Sequence, residues 1–233
     1  MMPTVYLHAV GLDKELWNGS LAGEDITLDF PGFGREPPVG PISMAVLADH
    51  VAGKLDRPHD VVGLSLGSMV TQHLALRHPE VVRSVVVACG GPETSPEVSL
   101  QRARDSRAGG MASVLESTLD RWFTPAALAD VAHKGVEYAR SRLLSDDAEL
   151  FARYWEAMAE HNLKERLAEI AVPVTVIAGS DDRAVPLAVM KDMAERIPNS
   201  RLEIVEGPHM LPLENREGFN LAVKRHLEWV AST

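Results

Sequence analysis

The sequence predicts an α/β fold with a mostly parallel sheet and helices on both faces. Short runs rich in valine, isoleucine and leucine alternate with helical stretches along most of the 233-residue chain. The run at residues 81–88 is apolar at most positions, as expected for a strand buried on both faces of a parallel sheet. From about residue 95 to 171 the chain is instead rich in Ala, Leu, Arg and Glu, with no strand pattern. We therefore predict a core formed by residues 1–94 and 172–233, with an inserted helical lid at 95–171.

The elements follow in order along the chain. Apolar, β-branched runs that stop at Gly, Pro or polar residues predict six strands. They lie at residues 4–8, 25–30, about 61–64, 81–88, 174–178 and 201–205. Helical periodicity, with Ser43 as an N-cap for the first helix and Pro79 ending the second, predicts the core helices. These span residues 44–55, 66–78, 186–197 and 214–230.

Composition excludes several classes of function. The formal net charge is −10 and no basic stripe is present, which disfavours a nucleic-acid partner. No apolar run approaches the roughly 18 residues of a membrane span, and residues 1–7 lack the features of a secretory signal. The nine histidines form no metal-ligand motif, so no metal is expected. Cys89 is the single cysteine, which rules out an internal disulfide and favours a cytoplasmic location.

The strongest chemical motif is Gly-Leu-Ser-Leu-Gly at residues 63–67. It follows an apolar run and precedes a helical pattern, which predicts a sharp strand-to-helix turn with Ser65 at its apex. The two glycines allow close backbone packing on either side of that turn. A serine hydroxyl needs a base to become a good nucleophile, so this interpretation requires a histidine and an acid further along the chain.

Two later strands end in residues that meet this requirement. Asp181 and Asp182 follow the strand at 174–178, and His209 follows the strand at 201–205. Ligands of open parallel sheets bind beyond the carboxyl ends of the strands, so these groups are expected near Ser65. The order serine, aspartate, histidine is the one found in triads on folds of this kind.

Five motifs together resemble those of the α/β-hydrolase family. They are residues 8–11, 29–34, 63–67, 179–186 and 207–209, in this order along nearly the whole chain. The resemblance implies that the acid is Asp182 rather than Asp181. It also implies an oxyanion hole formed by the backbone N–H groups of Leu66 and Val10, and a triad that needs no cofactor.

A narrower likeness is to 3-oxoadipate enol-lactonases. Residues 110–111, 121–125, 154–163 and 170–173 resemble the lid of that subfamily, which makes Trp122 and Arg121 candidate substrate-binding residues. The chain also departs from the family. Residues 8–11 read His-Ala-Val-Gly where His-Gly is usual, Ser68 replaces a frequent glycine, and the first two family strands are absent, leaving about six.

Several candidates have alternative structural roles. Ser65 could be an ordinary turn residue, His209 a surface histidine, and Asp182 a cap for the following helix. His8 is expected to shape its loop rather than to act as a base. Trp122 could belong to the lid core and Arg121 to an exposed helix face, while the thiol of Cys89 is expected to be inert.

The predicted activity is hydrolysis of a small-molecule carboxylic ester or lactone through an acyl-enzyme. Carbon–carbon bond hydrolysis and cofactor-free perhydrolysis use the same triad and are alternatives. A ligand-binding or receptor protein on a hydrolase scaffold is an alternative of another class. No nucleic-acid or membrane partner is expected, and a homodimer is left open.

Overall fold

The computed structural model describes residues 3–20 and 23–232, and its centre is a parallel sheet of six strands in the order β2-β1-β3-β4-β5-β6. Every paired strand is parallel to its neighbour, which confirms the predicted fold class and the number of strands. The strands are β1 (Thr4–Leu7), β2 (Ile26–Leu28), β3 (His59–Leu64), β4 (Val82–Ala88), β5 (Val174–Gly179) and β6 (Ser200–Val205).

The helices lie between these strands and after the last of them. In the core they are α1 (Met44–Ala52), α2 (Leu66–Arg77), α7 (Leu187–Arg196), α8 (Leu211–Glu214) and α9 (Arg216–Ala231). Between β4 and β5 they are α3 (Pro96–Trp122), α4 (Pro125–Ala129), α5 (Lys134–Ser145) and α6 (Ala148–Ala159). The division of the chain into a core and a lid at the predicted boundaries stays a prediction.

The predicted closing helix at residues 214–230 is confirmed as α9 (Arg216–Ala231), which begins two residues later than predicted because Asn215 precedes it as its cap. Asn215 separates α8 from α9 and has the non-helical angles φ −129° and ψ 66°. Its side chain accepts a hydrogen bond from Gly218 N–H and so caps α9, and it also donates to the Glu206 carbonyl at 2.7 Å. The short helix α8 (Leu211–Glu214), which ends just before this cap, was not predicted.

The strand order fixes where a ligand can bind. The chain leaves β1 to form β2 on one side and later returns to form β3 on the other side of β1. Such a reversal opens a crevice at the carboxyl ends of β1 and β3. The loops after β1 and β3 meet there, and the loops after β5 and β6 lie further along the same edge.

Helix α2 packs unusually close to the sheet because of two glycines. A Cβ atom placed on Gly67 would lie 2.1 Å from the Leu7 carbonyl oxygen, and one on Gly63 would lie 2.3 Å from the Gly67 carbonyl oxygen. Both clashes are with backbone atoms, which cannot move aside as a flexible side chain can. The two glycines of the predicted turn motif are thus required by close packing.

Among residues 3–20 and 23–232, no helix combines the length and the apolar character that crossing a bilayer requires.

Substituting Gly67 by alanine tests the close packing. We expect Gly67→Ala to lower the free energy of unfolding by about 1–3 kcal/mol or more, because overpacking forces the backbone of β1 or α2 to shift. Urea denaturation followed by circular dichroism measures this loss. Gly40→Ala is the matched control, since a Cβ added to Gly40 would meet no atom within 4 Å, and we expect its unfolding midpoint to stay at the wild-type value. Equal stability of the two variants would contradict the packing argument.

Candidate active site

Ser65 lies at the junction of β3 and α2. Its backbone has φ 54° and ψ −114°, an uncommon conformation for a residue with a side chain. The N–H of Ser65 donates a hydrogen bond to the Ala88 carbonyl at 2.9 Å, which ties the turn to the end of β4. The residue is 6% exposed, so its hydroxyl lies in a nearly buried position at the edge of the sheet.

His209 joins Ser65 to Asp182. Its Nε2 atom lies 3.0 Å from the Ser65 Oγ, and its Nδ1 atom lies 2.8 Å from an Asp182 carboxylate oxygen. An ionised carboxylate only accepts hydrogen bonds, so Nδ1 carries the proton. In the neutral ring Nε2 is then the acceptor of the serine O–H, which is the arrangement that a general base requires.

Asp182, rather than Asp181, is the acid next to His209. One oxygen of Asp182 accepts hydrogen bonds from the N–H groups of Ala184 and Val185, at 2.7 and 2.9 Å. Its other oxygen is left for His209, while Asp181 is exposed and bonded to Ser180. Helix α7 has no side-chain cap, so Asp182 holds its own loop and does not cap that helix.

The two N–H groups predicted for the oxyanion hole come from different elements, Val10 from the loop after β1 and Leu66 from the start of α2. The N–H groups of Leu66 and Val10 donate no hydrogen bond within the described part of the chain, as the oxyanion-hole prediction requires. His8 shapes this loop: its Nδ1–H donates to the Ala9 carbonyl at 2.8 Å, and Phe30 N–H donates to its Nε2 at 3.0 Å. Burial lowers the pKa of His8 to about 4, so the ring is neutral and both its nitrogens are occupied.

The sequence departure at Ser68 is accommodated by Gly90. The Ser68 hydroxyl donates to the Ser65 carbonyl at 2.7 Å and so reinforces the turn. A Cβ on Gly90 would lie only 1.8 Å from this hydroxyl. The glycine after β4 therefore makes room for the serine in α2, a pairing that the sequence pattern did not reveal.

Cys89 is closer to the triad than the sequence suggested. It follows β4 with φ 50°, is fully buried, and burial raises the pKa of its thiol well above the usual range. The possible ligand atoms of Cys89, Asp182 and His209 lie within 4.8 Å of one another. The thiol of Cys89 therefore lies beside the bonded pair of Asp182 and His209. The sequence offered one clue to this position: Cys89 follows β4, which lies between β3 and β5 in the sheet.

The two predicted substrate-binding residues have different surroundings. Trp122 is 2% exposed, and its carbonyl accepts a hydrogen bond from Met210 N–H at 3.1 Å, which ties the end of α3 to the residue after His209. Arg121 is half-buried, donates to the Ser117 carbonyl at 3.2 Å and lies over the Trp155 ring. Neither side chain has a triad residue among these partners, and their roles in substrate binding stay predictions.

Comparison with known proteins identifies the family. The model of the alpha/beta hydrolase family matches residues 4–222. This chain belongs to the α/β hydrolase family. The predicted family membership is thereby confirmed, along with the fold that it implied.

The relatives within this family include lactonases and esterases. The chain is 30% identical to 3-oxoadipate enol-lactonase 2 of Acinetobacter baylyi, over 94% of this chain and 86% of the relative. It is 31% identical to a pimeloyl-[acyl-carrier protein] methyl ester esterase of Neisseria meningitidis, over 92% and 89%. The crystal structure of the enol-lactonase from Burkholderia xenovorans LB400 is similar with a TM-score of 0.91, at 27% identity over 97% of this chain and 91% of that one.

A buried acidic residue that sequence reasoning missed lies next to Gly11, which belongs to the loop after β1 of this α/β hydrolase. The Asp146 side chain is 3% exposed, and one of its oxygens is 3.5 Å from the position that a Cβ on Gly11 would occupy. Arg142 donates to Asp146 at 2.6 Å and also pairs with Asp13 at 2.8 Å. Burial raises the pKa of Asp146 to about 7; the charge of Arg142 opposes this rise, and that of Asp13 adds to it.

This raised pKa predicts a pH-dependent stability. Between about pH 4 and pH 7 the folded protein holds the Asp146 proton more tightly than the unfolded chain, so this group destabilises the fold progressively as the pH rises and then levels off. We expect the melting temperature of Asp146→Asn relative to that of wild type to increase from pH 5 to pH 7. Above pH 7 we expect this difference to stay constant. Differential scanning calorimetry across this range measures the difference. Asp130→Asn, which alters an exposed carboxylate, should show no such trend. A difference in melting temperature between Asp146→Asn and wild type that stays constant from pH 5 to pH 7 would contradict the raised pKa of Asp146.

Proposed function

We propose that this α/β hydrolase cleaves a carboxylic ester or lactone through an acyl-enzyme on Ser65. The observation that carries the proposal is the position of His209, which is within hydrogen-bond distance of both Ser65 and Asp182. These three side chains come from loops after β3, β5 and β6, and all three are nearly buried. Burial strengthens their mutual electrostatic interactions, since the surrounding dielectric constant is low.

In the first half of the reaction Ser65 Oγ attacks the carbonyl carbon while its proton passes to His209 Nε2. Asp182 stabilises the imidazolium that forms. The negative oxygen of the tetrahedral intermediate accepts hydrogen bonds from the N–H groups of Leu66 and Val10. The carbon–oxygen bond to the leaving group then breaks, and His209 gives its proton to the departing oxygen. An ester of Ser65 remains.

In the second half a water molecule attacks the acyl-enzyme. His209 takes a proton from this water, a second tetrahedral intermediate forms, and its collapse returns the proton to Ser65 Oγ. The products are a carboxylic acid and an alcohol, or a single hydroxy acid if the substrate is a lactone. Every proton that leaves Ser65 or water returns to a product or to Ser65, so no cofactor is needed.

The substrate class rests on the named relatives. One is an enol-lactonase and another a methyl ester esterase, and both names describe cleavage of a carboxylic ester bond. A lactone is a cyclic ester, so one triad with one oxyanion hole serves both. We infer a small-molecule ester or lactone as the substrate. The buried Cys89, the single cysteine, supports a reducing compartment such as the cytoplasm.

Substitution within the triad tests the proposal. We expect Ser65→Ala to lower kcat for a short p-nitrophenyl ester by about 10⁴-fold or more, because no other group takes the place of its hydroxyl. Asp182→Asn should lower kcat on the order of 10³- to 10⁴-fold, since an amide favours the wrong tautomer of His209. Steady-state kinetics on the ester and on a small enol-lactone measures both losses.

Asp181→Asn provides the control for Asp182→Asn. It changes the neighbouring, exposed carboxylate, and we expect kcat to stay within about twofold of wild type, as for most surface substitutions. Equal losses of kcat in Asp181→Asn and Asp182→Asn would contradict the assignment of Asp182 as the acid. Unchanged turnover in Ser65→Ala would exclude Ser65 as the nucleophile.

The formation of an acyl-enzyme on Ser65 leads to a further prediction. If deacylation is slower than acylation, mixing excess p-nitrophenyl ester with the enzyme should release a burst of p-nitrophenol stoichiometric with active sites. Mass spectrometry after acid quenching should then find the acyl group on the peptide that contains Ser65. Ser65→Ala should show neither the burst nor the adduct. An adduct on any other residue of the wild-type enzyme would contradict the mechanism.

A further inference from the structure

A cavity of about 680 Å³ lies within the helical insertion, outside the triad. Helices α3 and α6 form it, and its walls include Val114, Thr118, Phe151 and Trp155. Neither Ser65 nor His209 lines it. The volume falls within the range of about 300–1,000 Å³ typical of small-molecule sites.

Two arginines reach this cavity from opposite arms of α3. Arg102 and Arg121 belong to one helix by hydrogen bonding, and a straight helix would place them about 28 Å apart. Gly110 interrupts the helix with φ 68° and ψ −178°, and the Ser113 hydroxyl donates back to the carbonyl of Asp105 at 3.1 Å. The chain therefore doubles back at Gly110, which brings the two cations into one cavity.

Both guanidinium groups lie against the indole of Trp155. The central carbon of Arg102 is 4.8 Å from the ring centroid, and that of Arg121 is 5.9 Å from it. Cation–π stacking of this kind holds each planar group in a fixed orientation. It also leaves the in-plane N–H groups free to bind an acceptor.

Several of these donors lack acceptors in the described part of the chain. Arg102 has no hydrogen-bond or ion-pair partner within residues 3–20 and 23–232, and burial lowers its pKa to about 10. One terminal nitrogen of Arg121 and the Nε1 of Trp155 are likewise buried without a partner among the described residues. A buried donor that has lost water and gained nothing costs free energy, so these groups favour an anionic ligand.

The carboxylates around the cavity do not meet this need. Asp105 accepts a hydrogen bond from Gln101 at 2.7 Å, and Asp120 pairs with Arg183 at 3.3 Å. Glu97 lies in the exposed first turn of α3. The charge of Asp105 acts on Arg102 only at a distance and partly offsets the effect of burial on its pKa.

We propose that this cavity binds the carboxylate of a small organic acid, held by Arg102 and Arg121 with its apolar body against Trp155, Phe151 and Val114. A guanidinium fork matches the two oxygens of a carboxylate. Ser65, Asp182 and His209 do not line the cavity, whereas Phe151 does, and its ring also lies 3.0 Å from the position of a Cβ on Gly11. The site is therefore distinct from the triad, and the proposal does not depend on ester hydrolysis.

Benzoate and benzamide are matched probes of the carboxylate site, because they share a shape and differ in charge. Isothermal titration calorimetry at constant ionic strength should detect binding of benzoate to the wild-type protein and much weaker binding of benzamide. Arg102→Met keeps an apolar stem against Trp155 but removes the charge. It should weaken benzoate binding by about tenfold or more, as expected for loss of a charged hydrogen bond.

Three further variants keep the test decisive. Arg121→Met should also weaken benzoate binding, and it serves if Arg102→Met fails to fold by circular dichroism. Arg140→Met removes an arginine of α5 that is paired with Glu116, outside the cavity, and should leave the affinity at the wild-type value. Ser65→Ala should bind benzoate as the wild type does.

Four results would overturn the proposal. The first three are equal affinities for benzoate and benzamide, unchanged benzoate affinity in both Arg102→Met and Arg121→Met, and no binding up to the solubility of sodium benzoate. Benzoate that competes with the p-nitrophenyl ester with the same inhibition constant in wild type and in both arginine variants would place it in the triad cleft, and would also overturn the proposal. None of these results bears on the triad mechanism, which the kinetics of the Ser65 variant tests separately.

Discussion

The close approach of α2 to β1 is the constraint on which the site depends. With no Cβ on Gly67, the backbone of the helix packs directly against the Leu7 carbonyl. This contact forces the chain to reverse sharply at Ser65, which adopts a positive φ and presents its hydroxyl beyond the sheet. It also brings the start of α2 beside the loop after β1. One packing contact thus positions Ser65, which we propose as the nucleophile, and the two N–H groups that we assign to the oxyanion hole.

Buried polar groups then hold the loops around Ser65 in a single arrangement. Both nitrogens of His8 are bonded to backbone, and both oxygens of Asp182 are occupied. A buried polar group without a partner is costly, so each such bond disfavours other loop conformations. The low pKa of His8 and the raised pKa of Asp146 have the same cause, because burial disfavours the charged form of either group.

The helical insertion is organised by a break in a helix. At Gly110 the chain doubles back, and the two arms of α3 bring Arg102 and Arg121 to the indole of Trp155 on α6. The C-terminal end of α3 is in turn fastened next to His209 through the carbonyl of Trp122. The insertion is therefore physically connected to the loop that carries His209.

The sequence by itself determined the local structure: the six strands, most helices, and the turn at Ser65 with Asp182 and His209 at later strand ends. These follow from periodicity, from turn residues and from the rule that parallel strands end at one edge. The short helix α8 was the exception, because its four residues are too few to show a helical periodicity. Only the tertiary structure decided the fit of Ser68 under Gly90, the place of Asp146 next to Gly11, and the meeting of Arg102 with Trp155. Each of these joins residues that are far apart in the chain or related through a kink, and their contact depends on packing that no local pattern encodes.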